Sequence, residues 1–206
     1  MFIQTEETPN PLVLKFLPGR PVMGDRDPLE FCTESEAAQT PLASKLFHIQ
    51  GIASLFFGSD FVSVTKNPKI SWSEIKPDIF GTLVDYFTLH ETVAVDAGNE
   101  TDTDPIDMDD LSQIEKEIKS LIDERIRPAV AMDGGDILFD RFEAGIVFLK
   151  MRGACSGCPS ASSTLKSGIE NMLKHYIPEV KEVRDAGQVD PFSDALLSPV
   201  STSSEV

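Results

Sequence analysis

The chain has 206 residues, enough for one large domain or two small ones. Its 41% hydrophobic and 25% charged residues are ordinary for a globular protein. The formal net charge of −16 speaks against nucleic acid and against anionic membrane surfaces, both of which select Lys and Arg. A basic protein partner, or solubility alone, fits that charge.

The start, "MFIQTEETPNPLVLKF", lacks the basic and apolar regions of a signal peptide and the Arg-rich, acid-poor character of a transit peptide. No apolar run approaches the length of a membrane span. These features predict a cytoplasmic chain, bacterial ahead of a processed mitochondrial form, with no membrane partner.

Apolar runs on either side of Pro9-Asn10-Pro11 predict a strand–turn–strand. Leu42, Leu46 and Ile49 fall at helical spacing, with Thr40 as N-cap, Pro41 in the first turn and Gly51 as terminator. "IASLFFGSDFVSVTK" reads as a hairpin around Gly58-Ser59-Asp60. Trp72, Ile75, Ile79, Leu83, Val84 and Phe87 share a helical face, with Pro77 near the start of that helix or kinking it. Residues 1–95 thus form a small α+β domain.

Residues 96–109 are dense in Asp and nearly free of apolar side chains, and predict an acidic linker. No register within or around them supplies both the Gly and the Glu of an EF-hand calcium loop. A second α+β domain spans 110–186. It opens with the helix "LSQIEKEIKSLIDERIR", striped by Leu111, Ile114, Ile118, Leu121, Ile122 and Ile126. Asp109 or Asp110 caps it, Glu115 and Lys119 pair along it, and Pro128 ends it. "AMDGGD" is a glycine turn, in which Asp133 and Asp136 satisfy local backbone. Strands "DILFDRF" and "GIVFLKM" follow, then a helix opened by Pro159 and striped by Ala161, Leu165, Ile169, Met172, Leu173 and Tyr176. "EVKEVRD" returns as a third strand, giving α-β-β-α-β. The tail 187–206, rich in Ser and Pro, reads as disordered. No tandem repeat relates the two domains.

Chemistry concentrates in "RGACSGCPSASSTL", residues 152–165, where Cys155 and Cys158 lie between a strand and a helix. A helix N-terminus favours thiolates and lowers their pKa. Gly153 and Gly157 let backbone approach closely. Three readings compete. A thioredoxin-like dithiol also puts CxxC at a helix N-terminus, but it wants a βαβ context, which the preceding hairpin does not offer. A structural zinc wants four ligands. The chain has one further cysteine, Cys32, and three histidines, His48, His90 and His175, all more simply read as loop, surface or capping residues. An iron–sulfur cluster wants four thiolates, which two chains would supply with one CxxC each. On chemistry alone the cluster and the dithiol stand level, with zinc behind. No general acid–base pair or nucleophile–base arrangement accompanies the cysteines, so no catalytic residues are expected.

The stretch "RPAVAMDGGDILFDRFEAGIVFLKMRGACSGCPSASSTLKSGIENMLKHYIPEVKEV" resembles the NifU-like C-terminal domain of the Nfu iron–sulfur proteins. "QTEETPNPLVLKFLPG", "PLASKLFHIQGIASLFFGSDFVSVTK" and "WSEIKPDIF" resemble the Nfu N-terminal domain. The resemblance implies a scaffold or late-acting carrier. Its cluster, [4Fe-4S] ahead of [2Fe-2S], would be held by Cys155 and Cys158 and bridged across a homodimer. It implies an upstream assembly scaffold as donor and apo iron–sulfur proteins as recipients. No chemistry is assigned to the N-terminal domain, which reads as a module for recognising a partner or client.

Overall fold

Alternating apolar residues build an N-terminal antiparallel sheet. β1 (Gln4–Glu7), β2 (Val13–Leu17), β3 (Leu29–Phe31), β4 (Ile52–Phe57) and β5 (Val62–Lys66) pair in the order β1-β2-β5-β4-β3. The computed structural model describes residues 2–93, 112–156 and 159–186, apart from the side chains of 159–164. The acidic linker, Leu111, Gly157, Cys158 and the tail from Gly187 lie outside the described residues.

One face of this sheet carries Leu14, Phe16, Leu29, Phe31, Leu55, Phe57, Val62 and Val64 into a core with α2 (Pro41–Phe47) and α3 (Trp72–Leu89). Edge-to-face contacts between Phe31 and Phe57, and between Phe16 and Phe80, fix its packing. The strand–turn–strand, the hairpin and both helices stand where periodicity predicts. Thr40 is the N-cap of α2, yet its hydroxyl caps nothing: Oγ1 is buried without a hydrogen-bond partner among the described residues. α3 runs through Pro77 without interruption in its assignment. Periodicity does not predict β3 or α1 (Glu34–Ala37), which are three and four residues long.

The second unit orders its elements as α4 (Gln113–Leu121), a π-helical segment (Ile122–Ile126), α5 (Arg127–Met132), β6 (Gly135–Glu143), β7 (Ile146–Gly153), α6 (Pro159–Tyr176) and β8 (Glu182–Asp185). β6 and β7 form the hairpin, turning at Ala144 and Gly145, both at positive φ. β8 adds parallel to β7. The α-β-β-α-β order holds, and the architecture is α+β.

Three details of the first helical region differ from expectation. Its cap is Ser112, in a capping box with Glu115, because that carboxylate reaches back to the Ser112 N–H. Glu115 is thereby withdrawn from Lys119, which pairs instead with Asp123 at 3.1 Å. The helical path also continues past Pro128 to Met132. Ile118, Ile122, Ile126 and Val130 are all buried at strict four-residue spacing. That spacing drifts around a helix of about 3.6 residues per turn, and the wide π turn takes up the drift. Pro128 falls in the first turn of α5, directly after the π segment.

The two units touch. Lys15 Nζ donates to Met132 O (3.1 Å), Ser63 Oγ donates to Gly134 O (2.7 Å), and Gly153 N donates to Glu30 Oε1 (2.9 Å).

Candidate metal centre

The centre begins where β6 and β7 are joined by their last pair, Gly135 opposite Gly153. Gly153 has φ +61, and a Cβ there would meet Gly134 O and Phe56 Cγ, each at 2.9 Å. The strand therefore turns sharply at a position only glycine fills without strain. The turn 153–156 is closed by Ser156 N donating to Gly153 O (3.1 Å) and Ser156 Oγ to the same oxygen (2.8 Å). Ala154 N donates across to Gly134 O (3.2 Å), tying this turn to the glycine turn before β6.

Cys155 points into the gap so made. A Cβ on Gly135 would lie 2.6 Å from its Sγ and 2.8 Å from Arg152 O. The glycines of "DGGD" and "RGAC" are thus complementary: the first set clears the space in which the thiol sits. Cys155 is 5% exposed and belongs to the second core, with Ile137, Met151 and Ile169. Burial pushes its thiol up to about 12, and the negative charges of Asp133 and Asp136 act in the same direction. A helix-start position predicts a lowered value; desolvation in the core overrides that, because the thiol is packed against glycine backbone. Beside it opens an apolar cavity of about 610 Å³, lined by Ala129, Val130, Cys155, Leu165, Ile169 and Met172. Cys158 lies outside the described residues, so the geometry of the pair is defined at one end.

Asp136 is not a turn residue. It stands on β6, buried, gripped by Arg127 through Nε (2.8 Å) and Nη2 (3.0 Å). The Asp136 hydrogen bond, opposed by burial, holds the Arg127 guanidinium above its ordinary value. Arg127 also reaches Asp123 at 3.3 Å, bracing the π segment against the strand that walls Cys155. Glu30 completes the surroundings. Burial raises its carboxyl, and the Gly153 N–H it accepts opposes that shift without cancelling it.

The remaining candidate ligands stand apart. Cys32 is exposed, directly after β3. His48 and His90 cap α2 and α3, their Nδ1 atoms against Ser44 O (2.7 Å) and Tyr86 O (2.9 Å). His175 sits in the last turn of α6 beside the Tyr176 ring. One topological expectation is overturned. β7, α6 and the parallel β8 form a βαβ unit, so the motif does sit in that context.

Among the described residues no helix is long and apolar enough to cross a membrane. Two family models match: "Scaffold protein Nfu/NifU N terminal" over residues 3–90 and "NifU-like domain" over 118–184. The human mitochondrial NFU1 iron-sulfur cluster scaffold homolog is 48% identical over 190 residues, covering 89% of this chain and 71% of that protein. Its Drosophila erecta counterpart is 48% identical over 183 residues, covering 89% of this chain and 64% of that one. This chain thus spans less than two thirds of the fly protein. Both relatives are named as mitochondrial, which runs against the expectation of a bacterial chain. A solved NifU-like protein from Saccharomyces cerevisiae aligns over 47% of this chain and 86% of its own, with 28% identity and a TM-score of 0.44. The chain belongs to the Nfu-type family of iron–sulfur cluster scaffold proteins.

Proposed function

We propose that the chain carries an iron–sulfur cluster as cargo on Cys155 and Cys158 and passes it to apo-proteins. The cluster is [4Fe-4S], bridged between two copies and received from an upstream assembly scaffold. The observation that carries this reading is that Cys155 and Cys158 are the only cysteines in the stretch matching the NifU-like domain, 118–184. A cluster takes four thiolates, so one pair per chain is half a ligand set and two chains complete it.

The environment of Cys155 supports cargo binding over dithiol exchange. Exchange is driven by an exposed, low-pKa thiolate, and this thiol is buried and raised. Metal binding tolerates such a start, because each iron–sulfur bond displaces the thiol proton and repays its removal. The turn's glycines and the adjoining cavity give the loop room to present the sulfur when iron arrives. A labile cargo suits this arrangement, since separating the chains halves the ligand set.

Anaerobic reconstitution tests the reading. The expected result is a dimer with about two irons per chain and matching sulfide. A Cys155→Ser protein that still held a full cluster would overturn the ligand assignment. Zinc without iron in anaerobically purified protein would favour a structural half-site. Insulin reduction by the metal-free protein would restore the dithiol.

A further inference from the structure

The N-terminal sheet has two faces, and its second face also has a structural role. The strand registers align one row across all five strands: Glu6 opposite Lys15, Lys15 opposite Ser63, Ser63 opposite Phe56, and Phe56 opposite Glu30. This row faces away from the N-terminal core. Val13, Phe56 and Phe61 on this side are buried, yet they belong to neither core cluster. What the row meets is the cysteine-bearing unit. Lys15, clasped by Glu6 at 3.2 Å, reaches Met132 O; Ser63 reaches Gly134 O; Glu30 takes the Gly153 N–H. Between them Phe56 lies so close to Gly153, and Ser63 to Gly134, that a Cβ on either glycine would meet them at 2.9 and 2.7 Å. Ser63 is 1% exposed and Lys15 6%, and both are hydrogen-bonded in the docked arrangement, as buried polar side chains require.

We propose that Lys15, Ser63 and Glu30 are positioning residues: the outer face of the N-terminal sheet is a built-in clamp on the two glycine turns that flank Cys155. The clamp touches backbone alone: two carbonyls and one amide. It acts on Cys155 through the turns at 132–134 and 153–156, never on the sulfur itself. Docking of the N-terminal sheet therefore holds the cysteine turn closed, and undocking frees it. The biological meaning rests on the cargo site proposed above, but the contact can be tested with no metal present, so the two readings fail separately.

The test is residue-resolved alkylation of the metal-free full chain with N-ethylmaleimide, read by mass spectrometry at Cys155, with exposed Cys32 as internal standard. Ser63→Asp sets a carboxylate against the Gly134 carbonyl and undocks the sheet; the Cys155 rate should rise about tenfold, with Cys32 unchanged. Trp72, the sole tryptophan, sits on α3 and reports whether the N-terminal unit stays folded. Glu30→Ala removes the Gly153 acceptor; because the Glu30 charge also raises the Cys32 thiol, this variant's Cys155 rate is read as an absolute rate against the unaltered chain, and it should rise a few-fold. Native Trp72 fluorescence with an unchanged Cys155 rate in Ser63→Asp overturns the clamp. If Ser63→Asp loses the Trp72 signal, Glu30→Ala decides, and an unchanged rate there overturns it equally.

Discussion

The two sheets of this chain solve opposite problems. The N-terminal one closes its inner face with phenylalanines, from Phe16 to Phe87, and has no glycine inside its strands. The C-terminal one is smaller, is closed by branched aliphatics, and admits a thiol and two strand-end glycines at one corner of its core. The first is built for packing density, the second to seat a buried thiol between two glycine turns beside an apolar cavity. Density is therefore borrowed: the corner that glycine leaves thin is backed by the neighbouring sheet through Phe56, Ser63 and Glu30.

This division predicts that the largest stability loss comes from the first core. Phe57 is fully buried, and Phe57→Ala should cost about 3–5 kcal/mol. Urea unfolding followed at Trp72 checks it; a loss under about 1 kcal/mol would mean the aromatic core is not what holds this sheet. The second core should respond most to addition. Gly135→Ala places a methyl against the Arg152 carbonyl and Cys155 Sγ, and the backbone oxygen cannot swing aside. Overpacking of this kind costs about 1–3 kcal/mol. A merely destabilised domain would keep its iron stoichiometry once folded. If Gly135 clears space for the thiol, the variant should also bind less iron on reconstitution.

How much of this was legible in the sequence follows from the range of each interaction. Strand alternation, helical stripes and the glycine-flanked CxxC are local, and they placed both α+β units. β3 escaped because Leu29-Glu30-Phe31 is too short to show a period. The continuation past Pro128 escaped because a proline ordinarily stops a helix; only the strict spacing of Ile118, Ile122 and Ile126 hinted at a wide turn. Nothing in the sequence singles out Lys15, Ser63 or Glu30. Their partners lie 71 to 123 residues away, beyond the reach of periodicity. Asp136 was misread for a related reason: its partner Arg127 sits on the far side of a proline expected to end the helix.

A smaller effect bears on where the second unit begins. Ser112→Ala removes the hydroxyl that accepts the Glu115 N–H and leaves that donor to water, which should cost about 1 kcal/mol. The same change at Ser71, which caps α3 toward Ser73, should cost a similar amount in the first unit. Thr40→Ala should cost less than either, because its hydroxyl accepts no cap hydrogen bond. Thermal unfolding of the three variants ranks them; equal losses would mean that cap identity, and not the hydrogen bond, sets the value.

The smallest effect is a pH dependence confined to the outer face of the second sheet. Burial alone would raise the Asp140 carboxyl, but hydrogen bonds and charge from Lys150, at 2.9 Å, and Arg141 outweigh it and hold it below the usual carboxylate range. A carboxyl depressed on folding stabilises the native state above its unfolded pKa of about 3.9 and loses that contribution as pH falls through the lower native value. The loss therefore belongs to strongly acidic solution, with nothing to see near neutrality. Lys150 is half exposed, so solvent screening keeps the effect modest. Asp140→Asn should flatten the acid limb of the stability–pH curve for the second unit, leaving that of the Trp72-reported first unit untouched. An acid limb unchanged by Asp140→Asn would place the acid sensitivity on other carboxylates, with Glu115 and Glu170, both also held low by their hydrogen bonds, next to be tested.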